Sequence, residues 1–224
     1  MKKVIYTCIT GGYDELIEPI YITEDFDYIC FTDDMAMKSN VWKFRPMPKE
    51  TEGLSQVKKQ RYVKVNPHKV LSEYDLSIWV DGNIIIKSDL NEVLDKYFIN
   101  SKSSVYVPMH PSRNCLFQEY YAILAFGKDT EENMLPQINR YKAEGFPEHY
   151  GLLQSRILFR FHNNKDCIKL MEAWFNEIKN GSHRDQLSFN YAAWKNKDVR
   201  FDYIDQDIYK SKFFDCIFLH KKKL

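Results

Sequence analysis

Leu76-Ser77-Ile78-Trp79-Val80-Asp81-Gly82-Asn83 is the stretch on which the reading of this chain turns. Its first five residues form a short apolar run, the pattern of a buried strand, and the run ends directly in an acidic loop. A carboxylate at a strand mouth, a glycine that lets the backbone turn or a ligand approach, and a second oxygen two positions on can converge on one hard cation. Mg²⁺ or Mn²⁺ held by one or two protein oxygens plus substrate phosphates is a common way to neutralise a diphosphate leaving group. The same letters also fit a plain turn, because Asp-Gly and Gly-Asn are turn dipeptides and Ile84-Ile85-Ile86 follows.

Outward from that stretch, strand and helix patterns alternate. Residues 4–9 are a β-branched run ending at Gly11-Gly12, and residues 28–31 end at Thr32-Asp33-Asp34, so both read as buried strands with polar loops at their C-terminal ends. Residues 41–45 predict a third strand, stopped by Pro46 and Pro48. Residues 54–65 predict a helix closed by Asn66-Pro67, 89–98 a second helix and 104–107 a strand. Helices over 115–126 and 130–143 precede the break at Gly145-Phe146-Pro147, and 152–159 reads as another strand. Residues 166–179 are the clearest amphipathic helix, with Cys167, Ile168, Met171, Trp174, Phe175 and Ile178 as its core stripe. A helix over 186–194 and a strand over 199–204 follow. The alternation predicts an α/β domain with a mostly parallel central sheet flanked by helices, and in such sheets ligands bind beyond the strand C-termini.

At 224 residues the chain fits one domain able to bury roughly 70–75% of its unfolded surface without disulfides. Lys+Arg 32 against Asp+Glu 31 leaves no global charge to attract nucleic acid, so any anion must be met by a local cluster. Aromatics make up 15%, which fits either a heavy aromatic core or a surface that stacks on flat ligands. The five cysteines form no Cys-x-x-Cys, and the closest pair, Cys8 and Cys30, lies 22 positions apart. Reduced thiols and a cytoplasmic setting are therefore expected. The apolar start at residues 4–10 is cut too short by Gly11-Gly12-Tyr13-Asp14 for a signal peptide, and no run reaches the length of a transmembrane helix.

Several constellations could carry chemistry. Lys58, Arg61 and Lys64 recur every three positions, so a helix sets them near one face where a diphosphate could be gripped, or where water solvates them. Thr10-Gly11-Gly12-Tyr13-Asp14 offers free backbone N–H groups and a ring suited to a nucleotide or to any tight loop. Asp33 could accept from a base or a ribose hydroxyl, or cap the next turn. Ser182 and Asp185 have capping-box spacing, while Arg184, Asp185 and Gln186 could instead face a sugar's hydroxyls. Leu219-His220-Lys221-Lys222-Lys223 is either a frayed basic tail or the source of an imidazole for a cation near Asp81. Such a tail could also touch anionic lipid.

Taken in order, these motifs resemble the DUF616 family, also described as the TOD1/MUCI70 glycosyltransferase-like domain. The resemblance rests on residues 6–14, Cys30-Phe31-Thr32-Asp33, Lys59 with Arg61 and Lys64, and Trp79-Val80-Asp81-Gly82-Asn83. It continues through His110-Pro111-Ser112-Arg113-Asn114-Cys115 with Glu119, Gly145-Phe146-Pro147, and Arg184-Asp185-Gln186-Leu187-Ser188-Phe189. It implies a GT-A-like, metal-dependent glycosyltransferase spanning 1–224 as a single domain, with a nucleotide-binding part over roughly 1–110 and an acceptor-side part over roughly 111–224. Asp81, Asn83 and His220 would hold Mn²⁺ or Mg²⁺, with Asn83 standing where the family pattern of related folds has a second Asp. Thr7, Gly11, Tyr13, Asp33, Arg61 and Lys64 would bind the nucleotide. Asp185, Gln186 and Glu119 would be catalytic, and His110, Arg113 and Arg184 would line the acceptor side. The implied partners are a nucleoside diphosphate sugar, with uridine expected, and a glycan or lipid-linked acceptor met without a transmembrane segment. A metal-dependent hydrolase of a phosphoester or lipid amide, and a non-catalytic nucleotide-sugar binding module, are the competing readings.

Overall fold

The computed structural model describes residues 1–98, 102–205, 207 and 209–217. Four parallel strands open the fold: β1 (Lys3–Ile9), β2 (Phe26–Thr32), β3 (Lys43–Pro46) and β4 (Leu76–Val80). The small strand β5 (Ile84–Ile86) follows, then β6 (Val105–Pro108), β7 (Ile157–Arg160), β8 (Asp202–Ile204) and β9 (Phe214–Cys216). The main sheet has the order β3-β2-β1-β4-β7-β6-β8, and β5 pairs with β9 in a separate two-stranded sheet. Only β7 runs against its neighbours β4 and β6, so the sheet is mostly parallel, as its buried apolar runs require.

Helices α1 (Gln56–Val65), α2 (Pro67–Val70), α3 (Asn91–Phe98), α4 (Leu116–Ala125), α5 (Glu131–Ala143), α6 (Lys165–Asn180) and α7 (Phe189–Lys195) complete the domain. Alternation along β1 divides the core: Val4, Tyr6 and Cys8 face a cluster that includes α6's Leu170, Met171 and Trp174, while Ile5 and Ile9 face one that includes α3's Val93 and Leu94. A third cluster joins α4 and α5 to Phe146, Leu187 and Tyr191. Most aromatics are spent here, including Trp79 and Trp174, both with no exposed surface.

Several expectations shift for local reasons. Ser55 caps α1 through a bond from the Lys58 N–H, so the helix starts at Gln56 rather than 54. Asn66-Pro67 does end α1, but Pro67 then opens α2, where its fixed φ suits a first helical position. On α6, Leu170 joins the core and Ile168 is only half-buried. The expected helix over 186–194 splits into a 3₁₀ turn at Asp185–Leu187 and α7. Leu152 and Leu153 lie outside β7, Leu153 bridging to Met109.

Candidate active site at the strand ends

The strand order reverses at β1, whose two neighbours are β2 and β4. Crevices open at such points beyond the strand C-termini, because the following loops diverge to opposite sides. Here those loops begin at Thr10 after β1, Asp33 after β2 and Asp81 after β4.

Gly11 and Gly12 both have φ of +62°, which permits the sharp exit from β1. The Gly11 N–H donates to both Asp33 carboxylate oxygens at 3.1 and 3.0 Å, and Thr10 Oγ1 donates to the Gln56 carbonyl. A hollow of about 400 Å³ lies beside this loop, lined by Gly12, Asp14, Thr32, Asp33, Asp34 and Met37 among others. Tyr13 closes a turn on the Thr10 carbonyl, and its phenol pKa is raised by burial and Asp14, against the pull of Arg184 and Arg61.

Lys64 is the centre of a charged cluster. Its ammonium, 1% exposed, lies 3.1 Å from Asp81 Oδ1 and 2.6 Å from Asp185 Oδ2, with its charge 5.5 Å from the Trp79 ring centroid. Trp79 Nε1 donates to Asp81 Oδ1 at 2.7 Å, and the Asp81 N–H donates to the Arg156 carbonyl at 2.9 Å. Asp185 Oδ1 accepts from Ser155 Oγ and the Gln186 N–H, and Arg61 Nε lies 3.4 Å from Oδ2. Burial by itself would raise the Asp185 pKa, but Arg61, Lys64 and Arg184 outweigh it and hold the carboxyl well below its ordinary range. A buried, saturated anion is a poor proton acceptor. Arg184 keeps its Nε buried without a partner, and its backbone N–H donates to Ser182 Oγ.

This arrangement corrects several expectations. The capping-box reading fails: the Ser182 hydroxyl donates to Asp129 while Asp185 turns to Lys64. Lys58 leaves the cationic face, because its ammonium donates to the Lys179 carbonyl at the end of α6. Thr7 has no exposed surface within β1 and so does not line the crevice. Gln186 Nε2 donates to the Leu153 carbonyl. Arg113 pairs with Glu119 at 2.7 Å, and His110 Nδ1 accepts from the Arg113 and Ser112 N–H groups. Burial, then Arg113 and Arg156, lower His110 to about 4, so it is neutral at pH 7.

Of the two readings of Asp81-Gly82-Asn83, the turn is present in the structure. The Ile84 N–H closes a turn on the Asp81 carbonyl, yet β5 does not fold back on β4 as a hairpin would; it pairs with β9. Asn83 Nδ2 donates to the Ile217 carbonyl at 3.0 Å, while the Ile217 N–H donates to the Asn83 carbonyl. Asn83 thus latches the segment after β9 in a way an Asp could not. Among the described residues no group of three or more His, Cys, Asp and Glu side chains is arranged to hold a metal. Asp81 Oδ2 and Asn83 Oδ1, the oxygens not used in these bonds, are hard donors of the kind that suit Mg²⁺ or Mn²⁺ sharing its shell with phosphates and water. His220 lies outside the described residues.

A sequence model for the TOD1/MUCI70 glycosyltransferase-like domain matches residues 1–220. The chain belongs to that family. A curated relative described as "Probable hexosyltransferase MUCI70", from Arabidopsis thaliana, is 24% identical over 139 residues, which cover 57% of this chain and 23% of the relative. The chain therefore spans less than a quarter of that relative's length. Among solved structures, apo mouse xyloside xylosyltransferase 1 has a TM-score of 0.53 at 10% identity, over 90% of this chain and 84% of that one. The apo WbbM bifunctional glycosyltransferase has a TM-score of 0.51 at 13% identity, over 90% of this chain and 38% of that one. These likenesses establish a glycosyltransferase-type fold.

Sequence reasoning missed three residues that bond to the Asp81 and Asp185 carboxylates or backbone here: Trp79, Ser155 and Arg156. Trp79 was within reach, since residues i and i+2 of a strand share a face and Trp79 precedes Asp81 by two. Ser155 and Arg156 arrive through antiparallel pairing of β7 with β4, which leaves no local signal.

Proposed function

We propose that this domain transfers a sugar from a nucleoside diphosphate sugar, with uridine as the expected base, to a hydroxyl of a glycan or lipid-linked acceptor. The observation that carries the reading is Asp81 at the switch-point crevice, fixed by Trp79 and Lys64 and flanked by Arg61 and Arg184. Membership of the TOD1/MUCI70 family supports it. On this reading the N-terminal part, roughly 1–110, takes the nucleotide in the hollow beside Gly12 and Asp33, and the part from about 111 onward supplies the acceptor side.

Breaking the anomeric C–O bond leaves a diphosphate whose growing charge must be stabilised. Bound Mn²⁺ or Mg²⁺ would neutralise part of that charge as a Lewis acid, and Asp81 and Asn83 are the residues that would hold it. Arg184, whose side chain has no hydrogen-bond or ion-pair partner among the described residues, is placed to donate to phosphate oxygens, with Arg61 behind it. Lys64 has too little exposed surface to meet a ligand, so it acts by fixing Asp81 and Asp185. Asp185 in turn serves as an electrostatic anchor for Arg61 and Lys64 rather than as a base.

The test is UDP release from a panel of UDP-sugars with Mn²⁺, with and without acceptor glycans. Asp81→Asn should lower turnover by about 10²–10³-fold while the protein remains folded, a loss typical of removing a preorganised charge. Turnover unaffected by the acceptor would point to a hydrolase, UDP binding without turnover on any acceptor to a binding module, and an Asp81→Asn variant as active as the parent would remove the basis for the assignment.

A further inference from the structure

Arg184 stands between two groups of charges. On one side are Arg61 and Asp81; on the other is Lys128, whose neighbour Asp129 is bonded to the loop of Arg184. Asp129, the next residue after Lys128, accepts from the Ser182 hydroxyl and lies 3.4 Å from His183 Nδ1, which ties the loop after α4 to the loop that carries Arg184. Lys128 itself makes no ion pair among the described residues, and its ammonium lies 5.3 Å above the Phe126 ring. That ring is 69% exposed, and Tyr121 on the same helix is 63% exposed. The Arg156 guanidinium donates to Cys216 Sγ and lies over the Tyr209 ring, and Arg113 is paired with Glu119. The carboxylates nearby are already committed: Asp185 to Lys64 and Arg61, Glu119 to Arg113 and Asp129 to Ser182 and His183.

We propose that Lys128, with Arg184 on the loop tied to it and Phe126 beside it, forms an acceptor subsite for a saccharide bearing a carboxylate or a phosphate. The inference rests on the transferase reading and extends it to the class of acceptor. An unpaired ammonium next to an exposed aromatic face matches the two halves of a charged sugar, whose apolar face stacks while its anion is paired. The grouping is consistent with the electrostatics around Lys128. Enclosure by the surrounding protein, then Arg184, with Arg156 and Arg113 adding and Glu119 opposing, lowers its ammonium pKa. An anionic substrate relieves that crowding of like charges.

The test is calorimetric titration of the protein, saturated with UDP and Mn²⁺, with three probes: a glucuronate-containing disaccharide, its carboxyl-reduced neutral counterpart, and glucose 6-phosphate. Either anionic probe should bind at least about tenfold more tightly than the neutral one, and Lys128→Glu should remove that preference while leaving UDP affinity unchanged. The tighter of the two anionic probes identifies the source of the charge. Equal binding of charged and neutral probes, insensitivity to Lys128→Glu, or loss of the anionic probe as UDP is added would each overturn the subsite; in the last case the cations serve the diphosphate instead. A protein that binds the anionic saccharide through Lys128 but binds no nucleoside diphosphate would keep the anion subsite and overturn the transferase reading.

Discussion

Lys64 carries a single positive charge between two carboxylates in a place almost closed to water, and that makes each partner sensitive to the loss of the others. Its contact with Asp185 is an ion pair at 2.6 Å in a poorly hydrated site, where charge weighs more than in water. Removing one partner of a buried pair leaves the other uncompensated. Lys64→Met should therefore destabilise the fold by about 3–5 kcal/mol, measurable by urea denaturation, with Arg61 at 3.4 Å giving only partial relief. The pH dependence follows from Asp185. Its folded pKa lies below the value of about 3.9 in an unfolded chain, so the folded state gives up the proton more readily. The resulting stabilisation is complete above about pH 5 and drains as pH falls below the unfolded value toward the folded one. The stability gap between the parent and Asp185→Asn should thus be widest near neutrality and narrow in acid; a gap that stays constant down to pH 3 would show that Asp185 is not the depressed carboxyl.

Elements place these residues, and they differ in how openly the sequence declares them. β4 is legible because five apolar or small residues end at an Asp, and α6 because its stripe repeats at helical spacing. The turn after β4 was legible as a turn, but not as the start of a second sheet: β9 is three residues long, and its partner β5 lies far back in the chain. Asp185 was readable as a cap or as a site residue but not as an ion-pair anchor for the same reason, since its partners arrive from α1 and from the approach to β7. Local patterns report local bonds; pairings closed by the tertiary fold leave no spacing to read. The Asn83 latch belongs to this scale. Asn83→Asp would supply a second carboxylate beside Asp81, yet it would replace the donor that meets the Ile217 carbonyl with an acceptor. The loss of that bond should cost about 1–3 kcal/mol locally, read as faster amide hydrogen exchange at Ile217 and along β5 and β9. Tighter Mn²⁺ binding in the same variant would place Asn83 at the cation; unchanged exchange would show that the latch contributes little.

Across the whole molecule, the near-neutral charge resolves into local separation. Asp81 at the end of β4 meets Lys64 of α1, which also meets Asp185 of the 3₁₀ turn, while Ser155 before β7 donates to Asp185 and Asp33 after β2 accepts from the Gly11 N–H, so the crevice joins residues from much of the chain. A ligand that binds across it must therefore stabilise the domain against global unfolding, not merely one loop. On the proposed transferase reading, two protein oxygens would make a weak site for a free cation, since Asp81 already shares its charge with Lys64. Diphosphate oxygens would complete the shell, and the phosphates would in turn gain a counter-charge. Metal and nucleotide should thus bind with positive coupling, each raising the affinity of the other by the same factor. At about one hundred times its dissociation constant, a ligand adds about 2.7 kcal/mol, which for a domain of this size raises Tm by about 5–10 °C. Mn²⁺ without nucleotide should shift Tm little, UDP with EDTA modestly, and UDP with Mn²⁺ by more than the two separate shifts combined. If the separate shifts simply add, metal and diphosphate do not share a site, and Asp81 serves the fold through Trp79 and Lys64 alone.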